Sequence, residues 1–175
     1  MGPWFRIHSL AYHPVFFGTA MNSRFDDPDG KYGVLYVGES ELAAFIETFG
    51  QKTGQRVVDE AMLKVRGISR LELKRPFRVV DLDGPNLARV GADAGLFAGD
   101  RAIARAWSAA FFAHPEKPDG LRYPCRHDNQ EYSLAIFGGA DREKVVRRRG
   151  TAKLGAHSNK KRVGSWLDHY GFALV

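Results

Sequence analysis

The sequence holds a single cysteine, Cys125, among 175 residues. No disulfide can close within the chain, so the fold has to be held by its core. No window approaches the ~20 uninterrupted apolar residues that a membrane-spanning helix needs. The opening Met1-Gly2-Pro3-Trp4-Phe5-Arg6 lacks a basic segment followed by an apolar stretch, so no secretory signal is expected. These absences together point to a cytoplasmic protein. There is no fixed-period repeat and no low-complexity block. A G-x-x-x-x-G-K-[ST] loop is missing, as is a strand–G-x-G-x-x-G–helix unit, which sets aside two common nucleotide-binding designs. Cys125, His127 and Asp128 lie close together, but no second ligand pair stands at finger-like spacing, and no metal is expected.

What is present suits one globular domain over 1–175. Hydrophobic residues make up 44% of the chain and charged residues 26%, with 12 Phe, 6 Tyr and 3 Trp to supply a core. Lys and Arg number 26 against 20 Asp and Glu, a formal charge of +6. Part of the excess sits late, in Arg147-Arg148-Arg149 and Lys160-Lys161-Arg162. A basic surface favours anionic partners, whether dinucleotide, nucleic acid or acidic protein.

Near alternation over Trp4–Leu10 predicts a strand, and the glycine-bounded run Gly33–Gly38 predicts a buried one. Ser40 is placed to cap a helix to Phe49, stopped by Gly50. Leu42, Phe45, Ile46 and Phe49 form its apolar stripe, and Glu47 lies off that stripe. Val57–Val65 is open between helix and strand. Ser69–Leu73 and Phe77–Leu82 read as strands, Pro85–Val90 as a short helix, and Asp100–His114 as a helix ending before Pro115. Gly120–Pro124 and Tyr132–Phe137 read as strands on either side of a polar loop, Cys125–Asn129. Lys144–Arg148 is β-like, and a short helix is expected near 163–169 ahead of the apolar Phe172–Val175. Strands and helices do not alternate one for one, which favours a mixed α+β domain over a doubly wound sheet.

Several short motifs fall in a definite order: Phe5-Arg6-Ile7, Arg24-Phe25, Gly33-Val34-Leu35-Tyr36-Val37-Gly38 and Ala44-Phe45-Ile46-Glu47-Thr48. Val80-Asp81-Leu82, the Ala-rich helix with Trp107, and Gly120-Leu121-Arg122-Tyr123-Pro124-Cys125-Arg126-His127-Asp128 follow. The series resembles the RES domain over residues 4–138. That resemblance implies a fold like that of ADP-ribosyltransferases, with a mixed sheet and flanking helices. It implies NAD as substrate rather than as a resident cofactor, cleaved between nicotinamide and ribose by hydrolysis or phosphorolysis, or with transfer of ADP-ribose to a protein. It implies as partners NAD, inorganic phosphate where phosphorolysis operates, and an Xre-like antitoxin. Many family members carry Ser where this chain has Cys125.

The chemistry asks for these residue types. A guanidinium fork matches a diphosphate, and Arg6 and Arg24 match the family's early arginines. The Tyr36 ring suits stacking on nicotinamide, with its hydroxyl hydrogen-bonded. An ionised Glu47 would stabilise positive charge building on the ribose. Arg6, Tyr36 and Glu47 are therefore the catalytic candidates, and Arg6, Arg24, Tyr36, Cys125, His127 and Asn129 the NAD-binding ones. Each has a plainer reading: exposed strand arginine, core tyrosine, solvated glutamate, packing cysteine. Protein ADP-ribosylation through the same pocket is the first alternative. A basic nucleic-acid-binding module is the second, although its clusters lack interleaved aromatics.

Overall fold

The computed structural model describes residues 2–175, apart from the side chain of Ala140; Met1, the first residue of the expected domain, lies outside them. Its centre is a seven-stranded mixed sheet in the order β5-β6-β7-β2-β1-β4-β8. The strands are β1 (Trp4–Ser9), β2 (Val34–Gly38), β4 (Arg66–Leu73), β5 (Val79–Asp81), β6 (Gly120–Cys125), β7 (Asp128–Phe137) and β8 (Val146–Lys153). Only β5 and β6 run parallel; the other neighbours are antiparallel. Two short strands, β3 (Val57–Val58) and β9 (Ala173–Leu174), pair separately. The ambiguous 57–65 segment thus divides into β3 and a short helix, α2 (Glu60–Lys64).

Along β2 and β7 the side chains alternate between two cores, the signature of a sheet covered on both faces. Leu35, Val37, Leu134 and Ile136 face one core, over which Val15, Phe17 and Phe77 pack. Val34, Ala135 and Phe137 face the other side and join Phe25, Leu82, Leu121 and Tyr123. On that side α3 (Pro85–Arg89), α4 (Gly95–Ala98) and α5 (Arg101–Ala113) contribute Leu87, Phe97 and Ala104. A third core joins β1 and β4 to α1 (Glu41–Phe49) and α7 (Lys160–Tyr170), through Ile7, Phe45, Ile68 and Trp166. A four-residue helix, α6 (Ala140–Glu143), precedes β8.

The seam between β1 and β2 positions everything that follows. β2 pairs with β7 through five residues and β1 with β4 through six, yet β1 and β2 meet only at Phe5↔Gly38. The sheet is therefore two half-sheets joined at one point. A Cβ at Gly38 would come within 2.6 Å of the Ala44 nitrogen and 2.8 Å of the Ala43 Cβ. Only glycine lets the start of α1 close over the strand at this junction.

The structure differs from the sequence reading in several places. β4 begins at Arg66 rather than Ser69, β5 is confined to Val79–Asp81, and α4 and α6 are unexpected. Three further differences have a physical reason. The segment 125–129 is not a loop: β6 runs to Cys125, β7 begins at Asp128, and a tight Arg126-His127 turn joins them. β8 extends to Lys153, where the apolar pattern gives no cue because Arg147–Gly150 are exposed. α7 begins at Lys160 rather than near 163, since its first turn is basic and exposed.

Candidate functional site

A cavity of about 400 Å³ opens where the half-sheets part. Phe5–Ile7 of β1 and Tyr36–Gly38 of β2 line it, together with Glu47 of α1, Phe97 of α4, Arg101 of α5 and the loop residues Asn22–Arg24. Arg6, Arg24, Tyr36 and Glu47, widely spaced in sequence, are thus brought together.

Each is held differently. Arg6 donates through one Nη to the carbonyl oxygens of Pro14 (2.8 Å) and Phe16 (3.0 Å). Among the described residues it has no carboxylate partner, and burial lowers its pKa to about 10. Arg24 donates to the Gly99 carbonyl at 3.0 Å. Its pKa is lowered by burial first, then by the neighbouring cations Arg126 and Arg101. Tyr36 donates its hydroxyl proton to Asp26 at 2.9 Å and accepts from the Phe25 N–H at 2.9 Å. The other Asp26 oxygen accepts from the N–H groups of Asn22 (3.0 Å) and Ser23 (2.8 Å). Asp26 therefore fastens the loop that carries Arg24 to the strand that carries Tyr36.

Glu47 stands on α1, whose start is capped by the Ser40 hydroxyl accepting from the Ala43 N–H at 2.9 Å. Phe45 and Ile46, both buried, fix the helix's rotation. Glu47 then projects into the cavity and accepts from the Arg126 N–H at 3.2 Å. Burial raises its pKa, while that N–H, the Cys125 thiol, Arg24 and Arg126 pull it back down.

Sequence reasoning missed Arg101, Arg126, Tyr123 and Ser133, which also line the cavity. Arg101 begins a helix and reads there as an ordinary solvated residue. Tyr123 and Ser133 alternate correctly for buried strands, and nothing in the pattern marks them as lining a cavity. The other three candidates lie off the cavity wall. Cys125 is buried behind Ser133, its Sγ 3.2 Å from the serine Oγ, and burial pushes its thiol pKa up. His127 is exposed beside a separate small depression near residues 50–56. Asn129 is exposed near the start of β7. Among the described residues, no group of three or more His, Cys, Asp or Glu is placed to hold a metal. No helix among them is long and apolar enough to cross a membrane.

The lining carries four guanidinium side chains, Arg6, Arg24, Arg101 and Arg126, and one carboxylate, Glu47. Arg101, like Arg6 and Arg24, is aimed by a loop carbonyl, that of Asn22 at 2.8 Å. Among the described residues, no cavity arginine is paired with a side-chain carboxylate in an ion pair. Such a cleft attracts a polyanion and keeps one negative charge beside it.

The RES domain model matches residues 3–154, and the chain belongs to the RES-domain family. Among solved structures it is similar to a chain of the M. tuberculosis MbcT–MbcA toxin–antitoxin complex, with a TM-score of 0.64 and 17% identity. That likeness covers 87% of this chain and 84% of the other. No curated protein matches it.

Proposed function

We propose that the chain is the NAD-cleaving toxin of a toxin–antitoxin pair, acting as an NAD glycohydrolase or phosphorylase. The observation that carries this reading is the pairing of four guanidinium groups with a single half-buried carboxylate in one cleft. Family membership supports it, because RES-domain toxins in general degrade NAD. The similar fold, solved with an antitoxin, supports a protein partner that restrains the enzyme. An Xre-like antitoxin is the partner proposed.

In this reading the arginines hold the NAD diphosphate through charge-assisted hydrogen bonds. The nicotinamide ring lies against Tyr36, whose hydroxyl is already committed to Asp26. As the bond from the ribose anomeric carbon to nicotinamide breaks, its electron pair leaves with the ring and positive charge builds on the ribose. Glu47 stabilises that charge electrostatically. Water or inorganic phosphate then bonds to the anomeric carbon, and where water attacks, its proton is released to solvent.

Adenine-labelled NAD tests the outcome. Label recovered as free ADP-ribose identifies hydrolysis, and its phosphorylated form, made only with phosphate, identifies phosphorolysis. Label on protein would instead establish ADP-ribosyl transfer, and intact NAD after prolonged incubation would contradict the proposal. Nucleic-acid binding has less support, because Arg149 is paired with Glu72 at 2.5 Å and Arg162 with Glu41 at 2.8 Å.

A further inference from the structure

Two hydroxyls lie at the floor of the cavity, apart from the arginines and Glu47. Tyr123 on β6 and Ser133 on β7 are directly opposed across the ladder, so their side chains rise from the same face of the sheet. Both line the cavity, and both are nearly sealed, at 5% and 2% exposure. The cavity's other hydroxyls are occupied. Tyr36 donates to Asp26, Thr48 to the Ala44 carbonyl and Ser23 to Asn22.

The Tyr123 hydroxyl has no hydrogen-bond partner among the described residues. The one fully sealed, unpartnered side-chain atom found there is the Arg66 Nε. The Tyr123 oxygen is therefore not shut inside protein but opens into the cavity. A phenol otherwise buried among Phe25 and Phe97 would leave its one polar atom unmatched unless something in the cavity met it. Ser133 is matched only by the Cys125 sulfur, a weak partner. Glu47 lines the same cavity and accepts from the N–H of Arg126, the residue next to Cys125, so all of these groups share one corner.

We propose that the Tyr123 and Ser133 hydroxyls form a binding pair for the hydroxyls of the nicotinamide ribose, holding the sugar against Glu47, with Cys125 behind them as a positioning residue. The inference rests on the NAD reading and names the end of the substrate that this corner takes. It also gives the cysteine a place. The hydroxyl that meets substrate comes from Ser133 on β7, one strand over from Cys125 on β6.

The experiment compares wild type with Tyr123→Phe, Ser133→Ala and Cys125→Ser. It uses NAD and an analogue whose nicotinamide-ribose 2′-hydroxyl is replaced by fluorine, with thermal unfolding to confirm folding. Binding is read in a Glu47→Gln background, where cleavage is not required. Loss of one neutral hydrogen bond predicts roughly three- to tenfold weaker NAD binding for Tyr123→Phe and for Ser133→Ala. At least one of the two should show no such loss toward the fluoro analogue, where that bond is already missing. Variants that fold, bind and cleave NAD like wild type overturn this inference alone, as do equal losses toward both ligands. Increased activity in Cys125→Ser with none lost in Ser133→Ala also overturns it, by returning the hydroxyl to position 125. A wild type that neither binds nor cleaves NAD overturns the inference and the NAD reading together.

Discussion

Glu47 is held in conflict. Burial favours its protonated form, while Arg24, Arg126 and a backbone N–H favour the charged one, and burial prevails. If the carboxylate must be ionised to stabilise the ribose cation, activity is lost as pH falls through a pKa above the usual carboxylate range. Arg24 lowers that pKa, so Arg24→Gln should move the acid limb of kcat/KM to higher pH; a limb that stays in place contradicts the coupling. Stability carries the opposite sign. The folded state binds the Glu47 proton more tightly than the unfolded chain does. Stability therefore falls as pH rises from the ordinary carboxylate range through the raised value. Glu47→Gln should flatten that slope in a series of unfolding temperatures against pH. Arg6, Arg24, Tyr36 and Glu47 were legible in the sequence through their motifs alone, since periodicity gives each a plainer role. His127 could not be excluded in the same way, because a polar residue beside a strand end looks alike whether it faces a cavity or solvent.

At the scale of elements, the local signals that survived were caps and stripes. Ser40 caps α1 and Asp100 caps α5, its carboxylate accepting from the Ala102 N–H at 2.8 Å. The β6–β7 hairpin was illegible because its turn residues Arg126 and His127 are not glycine or asparagine and neither has positive φ. The usual dipeptide signal of a primed hairpin turn is therefore absent. α1 does most to place the site, and Phe45 holds it. That ring is fully buried and meets Phe49, Trp166, Tyr170 and Phe172 at centroid distances of 5.1–5.9 Å. Phe45→Ala should cost about 3–5 kcal/mol in denaturant unfolding. It should also depress activity beyond the unfolded fraction, because Glu47 lies half a turn further along the helix. Full activity of the folded fraction would show that the helix keeps Glu47 in place without this contact.

For the whole molecule, the single β1–β2 pair makes the cleft an interface between two half-sheets. Arg6 comes from one half-sheet, Tyr36, Tyr123 and Ser133 come from the other, and Glu47 comes from α1, which packs on both. No sequence window spans that geometry, so the later residues of the site emerged only from the fold. A non-cleavable NAD analogue, binding the folded state alone, should raise the unfolding temperature in proportion to the logarithm of its concentration once it saturates the site. Arg24→Gln should weaken that shift through the loss of a charge-assisted contact, about 1.5–3 kcal/mol. An unchanged shift in that variant would place the diphosphate elsewhere.

The central claim is that this cleft breaks the bond between nicotinamide and ribose with Glu47 as its carboxylate. Nicotinamide release from NAD, followed for wild type and for folded Glu47→Gln, tests it most directly. Wild type should release nicotinamide, and Glu47→Gln, while still binding NAD, should release it at least a hundredfold more slowly, on the order of the loss seen when one electrostatic stabiliser is removed from an active site. Equal release by both proteins, or none by wild type, would contradict the account.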